Sequence, residues 1–202
     1  MSNIMSIMNI KQSLLLSLIL VISGCGINNI PIYEMEADAA WSQVLNLYQR
    51  RADLVPNLVA TVKGYAKHEK EVLTAVTEAR SKVNNFNISS DMINDPAAMK
   101  KFSEAQKQLG SAISRLLVTV EKYPTLQANQ NFLALQSQLE GTENRIAVAR
   151  RDYIYWVKRY NTELKIIPGR FWKNIMYPDA TPKENFDVSP EVKSGAPKVN
   201  FD

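Results

Sequence analysis

The chain has 202 residues, 46% of them hydrophobic and 22% charged, which is enough for one packed core and too apolar for wholesale disorder. A net charge of +4, with both signs interspersed, lacks the concentrated Lys/Arg footprint of a nucleic-acid binder, and none is expected as a partner. One cysteine and one histidine leave no internal disulfide and no zinc site of Cys and His ligands.

The first element is a leader. Ser13 to Ile22 is an uncharged Leu/Ile-rich run behind Lys11, the only charged side chain before Cys25. At ten residues it falls short of the roughly 20 needed to span a bilayer. It ends in Ile22-Ser23-Gly24-Cys25, which resembles the lipobox of bacterial lipoproteins. Residues 1–24 are therefore expected to be a signal peptide and Cys25 a lipidated amino terminus. The alternative is an uncleaved transmembrane helix at the inner membrane. Gly26 stands where an Asp would retain a lipoprotein in the inner membrane of enteric bacteria, which favours the periplasmic side of an outer membrane. Met1 and Met8 both remain possible starts.

Residues 25–32, with Pro31, are expected to link anchor and fold. Glu34, Glu36 and Asp38 suit the first turn of a helix. Apolar residues then recur at steps of three and four from Trp41 through Val44, Tyr48, Val55, Leu58, Val62, Tyr65, Val72, Val76 and Ala79. This predicts one helix of about 50 residues, or about 75 Å, kinked at Pro56. The part before Pro56 is then either a stalk or, folded back at the proline, a fourth helix. Asn84 to Pro96 predicts a loop, with Asp95 capping a second helix and Pro96 at its first position. That helix carries Phe102, Leu109, Ile113, Leu116 and Val120 and turns at Pro124. A third carries Phe132, Leu139, Ile146, Tyr153, Val157, Tyr160 and Leu164 and ends before Pro168. Arg170 to Tyr177 predicts a short aromatic helix. The prolines from Pro168 to Pro197 predict a loosely docked tail over residues 169–202. The fold class is all-α: an up-and-down bundle of long antiparallel helices over residues 33–168.

At Trp41 to Leu58 (WSQVLNLYQRRADLVPNL) the chain resembles the LemA family, and the similarity extends through Val62 to Arg80. A second block, Val120 to Arg150, contains EKYPTLQANQNFLALQSQLEGTENRIAVAR and is similar to that family's most distinctive stretch. The resemblance implies a helical bundle facing outward from a bacterial membrane, with no established catalytic activity or cofactor. Many members have one N-terminal transmembrane helix, whereas here the run is shorter and ends in a lipobox.

Little in the chain points to catalysis. His68 lies about 120° from the centre of the apolar stripe, a solvated position, and Tyr65 stands where a di-iron Glu-x-x-His motif needs a carboxylate. Gly64, Gly110 and Gly141 belong to no phosphate loop. No metal or cofactor is expected. Glu69, Glu140 and Glu143 keep a carboxylate-based envelope enzyme open as an alternative. Arg51, Glu69 and Arg80 project within the apolar stripe, where charges need partners. With Glu143 they form an expected structural polar network, Arg80 pairing with Glu143. A ligand site at the same place would take Gln49, Arg50, Arg51 and Asp53 as its rim. Tyr153, Trp156 and Tyr160 read as core or groove lining. The expected function is a non-catalytic, membrane-anchored interaction or scaffold protein with an envelope protein partner. A binder of a small apolar ligand between helices is the further alternative.

Overall fold

A computed structural model describes residues 26–86 and 90–186. Cys25, the leader, and the end of the tail from residue 187 lie outside the described residues. The described chain is all-helical: α1 Asn29–Tyr65, α2 Lys70–Asn84, a 3-10 turn at Ser90–Asn94, α3 Pro96–Val120, the single turn α4 Pro124–Gln127, α5 Gln130–Glu163 and α6 Gly169–Met176. It forms two compact units. One holds the described residues up to Asp38 together with Tyr155–Lys183; the other holds Ala39–Ile154 and the residues from Glu184.

Helix α1 begins inside the expected linker. Gly26, at a φ of 91° that L side chains rarely adopt, turns the chain, and its carbonyl accepts from Asn29 N at 3.1 Å. Pro31 then falls in the first turn, where a helix has no partner for the missing N–H. Pro56 lies within α1 without ending it.

The break comes at Ala66–Glu69 instead, so the expected 50-residue helix is two. Gly64 weakens the helix by about 1 kcal/mol, and Lys67 to Glu71 is an unbroken polar run. Continuing the stripe from Ala66 to Leu73 would have buried Glu69. The chain turns there, and α2 runs back along the second half of α1, where Arg80 meets Ala52. The fourth long helix thus arises at this turn and not at the proline. Its phase hides the break, because Ala66 and Leu73 are seven residues apart and buried on both sides of it.

Helix α3 starts as its sequence dictates. The Asp95 carboxylate accepts from Ala97 N at 2.8 Å and Ala98 N at 3.1 Å, with Pro96 at the first helical position. Tyr123 and Asn129 tie the α3–α5 connection to the α1–α2 turn: the Tyr123 hydroxyl donates to Glu69 Oε1 (2.9 Å) and Asn129 Nδ2 to the Tyr65 hydroxyl (2.8 Å). Asn129 Oδ1 also accepts from Phe132 N, capping α5.

The larger unit is closed by Leu58, Val62, Val76, Leu109, Leu116 and Phe132, among others, each fully or nearly fully buried. Such side chains contribute about 1.5 to 3 kcal/mol apiece. Beside them lies an aromatic group in which Trp41 meets Phe102 (5.8 Å between ring centres), Tyr153 (5.2 Å) and Phe186 (5.8 Å). The smaller unit packs Tyr33, Trp172, Tyr177 and Ala180 around Ile30, Tyr160 and Leu164.

The segment after Gly169, expected to dock loosely, packs as far as it is described. Asn161 offers Lys183 the two bonds of a strand partner, Nδ2 donating to its carbonyl (2.8 Å) and Oδ1 accepting from its N–H (2.9 Å). Glu184 donates its N–H to Ile93 O (2.7 Å) and takes the Tyr153 hydroxyl on its own carbonyl (2.6 Å). Phe186 is buried.

Candidate functional site

Arg51 is the most buried charged residue of the larger unit, 4% exposed. It sits one turn before Pro56, on the face of α1 that carries Tyr48 and Leu58, so the helical repeat turns its side chain inward. Nη1 meets Glu143 Oε1 on α5 at 2.7 Å, and Nη2 donates to both the carbonyl and the Oε1 of Gln106 on α3. The guanidinium carbon stands 5.1 Å from the centre of the Tyr48 ring. A planar fork meets these demands together, and a lysine ammonium cannot. Burial raises the Tyr48 pKa, opposed by the positive charges of Arg150 and Arg51.

The cluster binds three helices, yet it is not tuned for stability alone. Arg51 Nε and Gln106 Nε2 are buried without an acceptor among the described residues. Each such donor costs about 1 to 3 kcal/mol, comparable to what the made bonds return.

The expected pairing of Arg80 with Glu143 is corrected, since Glu143 takes Arg51. Arg80 Nε donates instead to the Ala52 carbonyl at 2.9 Å. The reason is Pro56. In a helix the carbonyl of residue 52 receives the N–H of residue 56, and proline has none. Ala52 is fully buried, so Arg80 supplies the missing donor from the neighbouring helix. Glu69 leaves the stripe altogether and bonds Tyr123 at the turn. Glu69 is thereby separated from Glu143 by the fourteen helical steps of α1 from Arg51 to Tyr65, about 20 Å, too far for a carboxylate pair. Glu140 is exposed and accepts from Gln136.

The expected rim is likewise not gathered: Gln49 Nε2 bonds Asp53 Oδ1 along the helix at 2.8 Å, and both are exposed with Arg50 while Arg51 turns inward. His68 is exposed in the turn, not on a helix. Tyr153 and Tyr160 are fully buried; Trp156 is half-buried and tilts against Tyr33 at 6.2 Å. Among the described residues no group of three His, Cys, Asp or Glu side chains is placed to hold a metal, and no helix is long and apolar enough to cross a membrane.

The smaller unit holds a second polar cluster. Lys183, 6% exposed, reaches Asp38 Oδ1 at 2.9 Å and Glu34 Oε1 at 3.3 Å, with its ammonium 5.4 Å from the centre of the Tyr160 ring. Glu34 and Asp38 therefore serve this lysine in place of the α1 dipole. Burial, followed by the Glu34 charge, raises the Tyr160 pKa strongly. Nothing in the sequence marked Lys183, a charge between two prolines in a polar tail. Gln106 was not singled out either, although its place between Phe102 and Leu109 on the apolar face of α3 was an available signal.

Comparison with known proteins gives these clusters their setting. The chain is 25% identical over 142 residues to the magnetosome protein MamQ 2 of Paramagnetospirillum magneticum, covering 62% of this chain and 52% of that protein. It is 24% identical over 141 residues to protein LemA of Metamycoplasma hominis, covering 70% and 58%. It is 25% identical over 152 residues to magnetosome protein MamQ of Magnetospirillum gryphiswaldense, covering 67% and 55%. The chain thus spans little more than half the length of these relatives. The model of the LemA family matches residues 40–201, which take in the Arg51 cluster, the Arg80 bond and Lys183. The chain belongs to the LemA family.

Proposed function

We propose that this protein is a non-enzymatic scaffold of the bacterial cell envelope, tethered outward from a membrane by a lipid on Cys25 and carrying an up-and-down helical bundle that binds an envelope protein. The observation that carries the proposal is how the interior charge is used. Arg51 meets acceptors from α3 and α5 of its own chain, so its polarity goes into holding helices in register. A bundle held in this way offers an outer surface of fixed shape. The MamQ relatives are named for a cellular structure, the magnetosome, and not for a reaction, which fits an assembling role.

The tether follows from the leader and the lipobox ending at Cys25, and the outer-membrane side from Gly26. Cys25→Ala is expected to lose palmitate labelling and leave the membrane fraction with its helices intact; unchanged labelling refutes the anchor. For the scaffold role, photo-crosslinkers at the exposed apolar positions Val118, Leu133 and Val148 in living cells are expected to capture one recurrent envelope protein. Capture of only abundant, position-independent proteins overturns it.

A further inference from the structure

Helix α6 carries more apolar surface than its unit covers. Trp172 packs towards Ile30, Tyr160 and Leu164. At 100° per residue, that orientation sets Phe171 and Ile175 on one flank and Met176 on the other. These side chains are 53%, 57% and 53% exposed. The corner leading into the helix adds Ile166 at 48% and Ile167 at 85%. Adjoining apolar side chains left in water mark a binding surface more often than chance exposure does.

The charge on the same segment has one sign. Lys165, Arg170 and Lys173 are its only ionisable groups from Lys165 to Met176, and Arg170 and Lys173 occupy the arc opposite the apolar one. Glu163, the nearest acid, is buried and engaged by Asn29. An amphipathic helix with large apolar residues on one arc and basic residues on the other is suited to the interface of an anionic bilayer.

The position of Gly26, one residue after the proposed anchor, selects this occupant. A Cβ built on Gly26 would stand 3.5 Å from Pro168 Cγ, so the residue that follows Cys25 lies beside the corner carrying Ile167. A lipid on Cys25 would hold this corner at a bilayer surface at high effective concentration. A second copy seated on the apolar arc would leave the basic arcs of both copies facing away from the contact, with no negative charge to meet them.

We propose that α6 and the Ile166–Ile167 corner dock onto the anionic bilayer that holds the anchor, with Ile167, Phe171 and Ile175 at the acyl boundary and Lys165, Arg170 and Lys173 at the headgroups. The proposal rests on the lipid anchor proposed above. It makes the chain a two-signal membrane protein, in which a lipid and a basic amphipathic patch act together.

The test uses the full chain, extracted from membranes and returned to vesicles of phosphatidylethanolamine and phosphatidylglycerol. A nitrobenzoxadiazole dye is placed on a cysteine at Ile175→Cys, Phe171→Cys or Asn174→Cys. Emission is expected to shift to the blue and brighten severalfold at positions 175 and 171, to stay unshifted at 174, and to weaken when phosphatidylcholine replaces phosphatidylglycerol. Equal emission at the three positions overturns the docking. So does a blue shift present before vesicles are added: growth with protein concentration would put a second copy on the face, and independence of concentration would put the chain's own residues there. Mass spectrometry of the Cys25 peptide reads the anchor separately. A lipidated Cys25 without a shift at 175 refutes the docking alone; an unmodified Cys25 with the shift retained refutes the anchor and supports the docking.

Discussion

Arg51 joins acceptors on two other helices while its own Nε meets none among the described residues. Its fork holds Glu143 and both acceptors of Gln106, so Arg51→Ala leaves a buried amide unpaired and a void beside Tyr48. A loss of about 3 kcal/mol is expected in chemical denaturation. Arg51→Met with Gln106→Leu removes both buried polar groups and is expected to recover most of that loss. A double variant no more stable than Arg51→Ala would show the cluster to be stabilising in its own right. Tyr160 yields a pH prediction. Its hydroxyl faces Glu34, with Lys183 and Asp38 adjoining, and its folded pKa lies above the ordinary value of 10.0. The unfolded chain therefore gives up this proton first, and stability present at neutral pH declines as pH rises above about 10. Tyr160→Phe is expected to flatten that alkaline decline relative to the parent in parallel titrations of unfolding.

Among the helices, Pro56 and Arg80 form a unit separated in sequence and joined in space. Arg80→Ala leaves the Ala52 carbonyl without a donor and is expected to cost about 1 to 3 kcal/mol. In a Pro56→Ala background the helix supplies its own N–H, so the same substitution is expected to cost clearly less. Equal costs in the two backgrounds, measured as a double-mutant cycle, would break the link. Both residues were visible in the sequence, Arg80 as a charge in an apolar stripe and Pro56 as a kink that did not disturb its phase. Their partnership was not, because it depends on the turn at Ala66–Glu69. A seven-residue step preserves the phase of a helical stripe whether the chain runs on or doubles back, so periodicity alone could not locate that turn. Glu69 was the available signal: a carboxylate in an apolar stripe marks an interrupted helix as readily as a buried ion pair. The Asp95–Pro96 start of α3 was fully legible, since cap and first turn are local chemistry.

Across the described residues, the apolar faces of the long helices were readable from spacing, whereas the end of the first helix and the packing of the tail as far as Phe186 were not. Lys183 and Phe186 owe their burial to residues far away in sequence, and a proline-rich context reads as solvated. Phe186 sits against Trp41 and Tyr153, with the Arg150 guanidinium 4.3 Å from its ring centre. Phe186→Ala is expected to cost about 3 to 5 kcal/mol in the larger unit, read as a lower midpoint of denaturation. The same contacts bear on the order in which the protein matures. A ribosome releases the amino end first, so Trp41 and Tyr153 emerge long before the phenylalanine that completes their aromatic group. Helix pairs such as α1 and α2, whose contacts are local, can close early and fast. The aromatic group must wait until Phe186 is made, and a chain interrupted before it presents Trp41 incompletely covered to whatever monitors unfinished proteins.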